Sequence, residues 1–153
     1  MKANVYGHHF GDKIIPEGLI NEAKAAIESC SVVPQKKSSK RIKEAILESL
    51  AEKGWPGEVT LDTASKISIT SRKESIGLCF QTGNMSRMYA DLLKLQAVYL
   101  RGSIDAAIFI LPEDECAKIL GDNIANCDRL RRELEIFDRA ITVPLAVIGI
   151  EQS

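Results

Sequence analysis

The stretch from Ser75 to Leu111 constrains the fold of this chain more than any other. Ile76, Gly77, Leu78, Cys79 and Phe80 form a short apolar run that ends at Gln81. Thr82-Gly83-Asn84 breaks the run, and Asn84 suits a helix N-cap because its side-chain oxygen can accept from free first-turn amides. From Met85 to Arg101 the apolar positions Met88, Leu92, Leu95 and Tyr99 recur at helical spacing. Arg101-Gly102-Ser103 closes this helix, Ile104 to Leu111 is apolar again, and Pro112 stops it. A strand, a helix and a strand in so short a stretch make a βαβ unit, which predicts two parallel neighbouring strands. Gln81 then stands at the carboxyl end of the first strand, where open α/β sheets hold ligands.

The rest of the chain builds outward from this unit. Apolar spacing predicts a helix over Pro16–Ser29, with Leu19, Ile20, Ala23 and Ile27 on its face, and another over Ser39–Lys53, with Ile42, Ile46 and Leu50. Trp55, in the turn after the second helix, reads as a packing anchor at the helix–sheet junction. Val59 and Leu61, then Ile67 and Ile69, alternate with polar residues, so Glu58–Asp62 and Lys66–Thr70 read as strands with one buried face. Ser71–Glu74 reads as a polar turn, which would make these strands and the one at Ser75 an antiparallel meander. Beyond Pro112 the pattern predicts a short helix through Leu120 and a helix over Ala125–Arg139 with Leu130, Leu134 and Phe137 apolar. It ends with a strand over Pro144–Ile150 beside Ile104–Leu111. Residues 1–15 are expected to form a loop or arm packed on the domain. The whole is an α/β chain with a mixed α+β sheet, a single domain over residues 1–153 with its core at 39–111.

The run IGLCFQTGNMSRMYADLLKLQ resembles the core of the BglII type of type II restriction endonucleases, within the PD-(D/E)XK nuclease superfamily. The similarity spans Lys40 to Leu111. Its most specific part is the Gln-Thr-Gly-Asn turn followed by an Arg-x-Tyr-x-Asp-Leu-Leu-Lys helix. The resemblance implies a restriction-endonuclease-like αβββαβ core with extra C-terminal helices and a strand. It also implies double-stranded DNA as partner, a homodimer, and magnesium as cofactor if the chain is active. In that branch one carboxylate lies on the middle strand of the meander and another two residues before the Gln of the next strand. Here the second position is Cys79, in Cys79-Phe80-Gln81, and the first falls at Thr70. A thiol is a soft ligand poorly matched to magnesium, and Gln81 brings no charge. The resemblance therefore marks Thr70, Cys79 and Gln81 as the catalytic positions, with both acids replaced. A relocated metal site would need Glu44 or Glu48 together with Asp62. Asp91, between Arg87 at i−4 and Lys94 at i+3, reads as a structural ion-pair partner.

Net charge is −1, so any interaction with nucleic acid must rest on local clusters. The densest is Lys36, Lys37, Lys40, Arg41 and Lys43, five cations in eight residues. It suits phosphate contact, and equally a solvated surface. Asn84 and Arg87 of the resembling turn and helix complete the candidate nucleic-acid contacts. Arg129, Arg131 and Arg132 are diluted by Glu133 and Glu135, which favours surface salt bridges. His8 and His9 are adjacent, and neighbours in an extended segment point to opposite sides, so no metal site is expected there. Nor does anything place them beside Cys79 as a base for a thiol nucleophile. The four cysteines, at 30, 79, 116 and 127, lack Cys-x-x-Cys spacing and fit free thiols in a reducing, cytoplasmic setting. No stretch is long and apolar enough to span a membrane.

Three readings follow. The leading one is a nuclease-like protein that has lost its metal-binding carboxylates, needs no cofactor, and binds DNA or a protein partner without cutting. The second is an active magnesium-dependent endonuclease with relocated acids. The third is an interaction subunit that uses the fold as a scaffold.

Overall fold

The structure, a computed structural model, describes residues 1–153. In chain order its elements are β1 (Lys2–His8), α1 (Gly11–Ile14), α2 (Glu17–Glu28), α3 (Ser39–Glu52), β2 (Val59–Asp62), β3 (Ile67–Ile69), β4 (Ser71–Lys73), β5 (Ile76–Phe80), α4 (Met85–Leu100), β6 (Ala106–Pro112), α5 (Asp114–Leu120), α6 (Cys127–Ile136) and β7 (Leu145–Glu151). Five strands form one mixed sheet in the order β1-β7-β6-β5-β4, and β2 and β3 form a separate two-stranded ribbon. As the βαβ pattern predicts, β5 and β6 are parallel, with Ile76 opposite Ala106 and Phe80 opposite Ile110. β7 continues the parallel set beside β6, while β1 and β4 close the two edges antiparallel.

The parallel strands are apolar along their length because both faces are covered. Every residue of β5 and β6 is buried. Strand alternation then sorts the side chains into two cores. Leu78, Phe80, Ile108, Ile110 and Ile148 meet Ile27, Ile46 and Leu50 of α2 and α3 on one face. Cys79, Phe109 and Val147 meet Met88, Leu92 and Leu95 of α4, and Leu130 and Leu134 of α6, on the other. The crossovers β5-α4-β6 and β6-α6-β7 step the same way across the sheet. With a common right-handed sense they pass over the same face, which is why α4 and α6 share a layer. Phe80 and Phe109 are each at most 1% exposed, and truncation of either to alanine costs about 3–5 kcal/mol. Trp55 is buried at 2% exposure and donates from Nε1 to Glu22 Oε2 at 2.8 Å, so it anchors the helix–sheet junction as expected.

Three expectations change. The meander is split: Ile67–Ile69 pairs with β2 in the ribbon, the chain bends at Thr70, and Ser71–Lys73 pairs with β5 in the main sheet. Ser71-Arg72-Lys73 reads as a turn because it is polar, and polar residues are tolerated on a short edge strand. Lys73 Nζ reaches Glu22 at 2.9 Å and donates to Lys53 O at 2.7 Å, tying that edge to α2 and α3. The true turn is at Glu74, with φ 55°. Secondly, residues 2–8 are an edge strand on β7 and not an arm; Val5 packs on one core and Tyr6 on the other. Thirdly, α6 ends at Ile136, so Phe137 falls outside the helix and is 37% exposed. No helix is long and apolar enough to cross a membrane.

Candidate functional site

A cleft of about 540 Å³ opens where β5 ends. One wall is α3, through Lys43, Leu47 and Leu50, and the opposite wall is α4, through Arg87, Ala90, Asp91 and Lys94. The floor is Thr70, Phe80 and Gln81, and the turn carrying Trp55 and Glu58 closes one end.

Thr70 and Gln81 line this cleft, and Cys79 lies on β5 immediately beside it. Each is already engaged. Thr70 Oγ1 accepts from the Phe80 amide at 3.1 Å, extending the β4–β5 ladder through a side chain where the backbone pairing stops. Cys79 is 1% exposed and faces the α4 core. Burial, with Asp91 nearby, pushes its thiol well above the ordinary range, so it stays protonated and inert. Gln81 donates from Nε2 to Asp91 Oδ2 at 2.7 Å, and its Oε1 accepts from the Gly83 amide at 2.9 Å. A Cβ at Gly83 would stand 2.7 Å from Gln81 Oε1, so any larger residue there would push the Gln81 side chain aside. Asp91 Oδ1 in turn accepts from Lys94 Nζ at 3.2 Å. The chain Gly83–Gln81–Asp91–Lys94 thus consumes the amide and both carboxylate oxygens. Arg87 forms no ion pair with Asp91; only Lys94 takes the partner role expected of both.

The cations of the cleft divide in two. Lys94 is neutralised by Asp91. Lys43 and Arg87 line the cleft and make no ion pair, although Lys43 Nζ lies 5.9 Å from the Phe80 ring centre. Of the basic segment, Lys43 alone enters the cleft. Lys36, Lys37, Lys40 and Arg41 are exposed around the start of α3, and Lys40 makes a long surface contact with Glu44 at 3.8 Å. Asn84 is exposed and spends its side-chain oxygen capping α4, accepting from the Arg87 amide at 3.3 Å and from Ser86 Oγ at 2.6 Å.

The candidate relocated acids are not brought together. Glu48 is exposed on α3 and does not line the cleft. Asp62 is exposed on β2, where the Ser65 hydroxyl and then the Ser65 amide, which donates at 2.7 Å, hold its carboxyl below the usual range. The acids that do line the cleft are Glu58 and Asp91. His8 lies on β1, with β7 and β6 between it and β5, so no histidine can serve Cys79 as a base. Lys94 enters the site although its spacing from Asp91 reads as a structural pair. Its signal was present: Arg87, Asp91 and Lys94 stand at i, i+4 and i+7, one helical face.

Comparison with known proteins adds a family to this geometry. The family described as restriction endonuclease BglII/BglIII matches residues 3–150. The type II restriction enzyme BamHI of Bacillus amyloliquefaciens is 30% identical over 93 residues, which is 61% of this chain and 42% of BamHI. The matched stretch therefore spans less than half of that relative. The crystal structure of BglII complexed with a DNA 16-mer superposes with a TM-score of 0.87 at 12% identity, covering 100% of this chain and 79% of that one. Free BglII gives 0.75 at 13% identity, with 100% and 81% covered.

Proposed function

Since this chain belongs to the restriction endonuclease BglII/BglIII family, we propose that it is a nuclease-fold protein that holds a DNA phosphodiester in the cleft at Gln81 without cutting it. The observation that carries this reading is the pairing state of the cleft. Its one buried carboxylate is tied up by Gln81 and Lys94, while Lys43 and Arg87 have no counter-ion.

The donor set does not fit magnesium, which needs anionic oxygens to displace its waters. Thr70 offers a hydroxyl already bonded to Phe80, Cys79 a sealed thiol, and Gln81 an amide already bonded at both ends. Glu58 is exposed and its Oε1 accepts from Ser68 Oγ. With no route to a metal-activated water, the chain's own chemistry is anion binding. Arg87 can present a planar fork to two phosphate oxygens and Lys43 a point charge from the opposite wall. Lys36, Lys37, Lys40 and Arg41 extend the charge along the duplex backbone, where contacts position without reading sequence.

Two further parts of the proposal rest on the surface. Leu93 and Leu100 of α4 and Ile136 of α6 are 64%, 71% and 75% exposed on one layer, which favours pairing of two chains across it. Four free cysteines fit a reducing cytoplasm. The experiment is a plasmid-nicking assay with magnesium and with manganese, paired with duplex binding at several salt concentrations. The expected result is salt-dependent retention of DNA without nicking, with cutting only after Thr70→Asp and Cys79→Glu are introduced together. Robust nicking by the native chain, abolished by Glu58→Ala or Asp91→Asn, would overturn the reading in favour of an active enzyme. Absence of DNA binding would leave a scaffold for a protein partner.

A further inference from the structure

We propose that the turn after β1 and the loop between α6 and β7 form a site for a divalent transition-metal ion of the zinc class, with His8, His9 and Asp138 as ligands. It is independent of the cleft. His8 stands opposite Leu145 at the start of β7, whereas Gln81 follows the end of β5, so the two sites lie at opposite ends of the three parallel strands.

One ligand atom from each of the three residues lies within 4.8 Å of the other two. Adjacent histidines in a strand would diverge. Here His9 and Phe10 take left-handed backbone, with φ 48° and 61°, and the two imidazole centres come within 4.3 Å. Histidine tolerates this region but a bulky residue such as Phe10 does not, so the turn is an unfavourable one that the surroundings hold in place. Gly11 shows how: any Cβ there would overlap the Leu145 backbone, so the chain is pressed against β7 immediately after the turn.

The backbone also supports the His8 ring from behind. His8 is buried, and its Nε2 lies 2.7 Å from Ile141 O. A carbonyl can only accept, so Nε2 carries the proton and Nδ1 keeps the lone pair. A bond from the far ring nitrogen to a backbone carbonyl is the usual support of a metal-bound histidine. His9 Nε2 stands 3.0 Å from Asp138 Oδ1 and 3.0 Å from Asp138 O, both acceptors, so without an ion it carries a proton, which an ion bound between Nε2 and Oδ1 would displace. Two donors about 2.1 Å from one ion at a tetrahedral angle stand roughly 3.4 Å apart, so a small movement admits the ion. Two imidazoles and a carboxylate suit zinc, cobalt or nickel and not magnesium or calcium, and three protein ligands leave a coordination position open. That position can face the pocket of about 530 Å³ that His8 and Asp138 share with Tyr6, Asp128, Arg131 and Glu135. A bound ion would clip the first strand to the loop before the last.

The test uses the untagged chain stripped with a chelator. Cobalt(II) is titrated and followed by visible absorption, and zinc is titrated by calorimetry. His9→Ala and Asp138→Ala remove exposed ligands, with circular dichroism as the check on folding, and Cys30→Ser controls for the half-buried thiol. The expected result is saturation at about one ion per chain, a rise in melting temperature with zinc, and affinity at least roughly tenfold weaker in each ligand variant but unchanged in Cys30→Ser. No saturable binding up to about 100 μM, or binding that survives both ligand variants, would overturn the site and leave His9 and Asp138 as a surface ion pair.

Discussion

Replacing Asp91 by alanine should make the protein less stable and at the same time a tighter DNA binder. Asp91 is 8% exposed, and its two oxygens accept from Gln81 Nε2 at 2.7 Å and from Lys94 Nζ at 3.2 Å. A hydrogen bond to a charged group contributes about 1.5–3 kcal/mol, and the buried Gln81 donor would lose it. The Lys94 pair is partly solvated and adds only about 0.3–0.5 kcal/mol. Together the loss is about 2–3 kcal/mol, or roughly 5–10 °C in melting temperature for a domain of this size. Asp91→Asn keeps an acceptor for Gln81 and should lose about half as much. Both variants free Lys94 inside the cleft. If phosphate binds there, the slope of log affinity against log salt should steepen by about 0.9, one extra phosphate contact. The assays are thermal melting by circular dichroism and fluorescence anisotropy of a labelled duplex between about 50 and 200 mM salt. Weaker binding with a flatter slope would refute the reasoning, because Asp91 would then be positioning a DNA contact and not withholding one. A melting temperature unchanged within about 1 °C would show that the Gln81–Asp91 bond contributes no stability.

Other expectations concern the same surfaces. Lys43→Ala and Arg87→Ala should each flatten the salt slope by about one, and alanine at Lys36, Lys37, Lys40 and Arg41 together by up to about four; an unchanged slope assigns the residue to the solvated surface. Native protein treated with iodoacetamide should be alkylated at Cys30 alone by mass spectrometry, since Cys79, Cys116 and Cys127 are buried and burial pushes their thiols up; rapid labelling of Cys79 would show that the cleft floor opens. Tyr6 has its phenol pushed up to about 12 by burial and by its bond to Glu113. A folded value above the unfolded one gives stability that is complete below about pH 10 and is lost as pH rises toward 12. Ultraviolet titration should show a late-ionising step that Tyr6→Phe removes, with Tyr89 also delayed by its bond to Glu133, and ionisation of all three tyrosines together near pH 10 would contradict it.

The sequence by itself determined the frame. Continuous apolar runs at 76–80 and 106–111 separated by a 3.6-period segment leave few options other than parallel strands with a helix across them, and the structure has them in that arrangement. Asn84 as a cap, Trp55 as an anchor and the last strand beside Ile104–Leu111 were legible for the same reason: each depends on local chemistry or on periodicity. The resemblance quoted on Gln81 to Lys94 agrees with the family to which the chain belongs.

Tertiary structure alone decided three things, all involving partners far apart in the chain. Ser71–Lys73 is a strand because Ile76–Leu78 lies beside it and Glu22 and Lys53 take its lysine, and polar composition cannot announce such partners. Asp91 is the hinge of the cleft because it meets Gln81 across the strand–helix junction, a contact set by how α4 packs and not by helical spacing. His8 and His9 converge because two residues take left-handed backbone against β7, meeting Asp138 from 129 positions along the chain. Periodicity reports which side of its own element a residue faces. It carries no information about which charged or polar group arrives on that side from elsewhere, and both proposed sites are made of such arrivals.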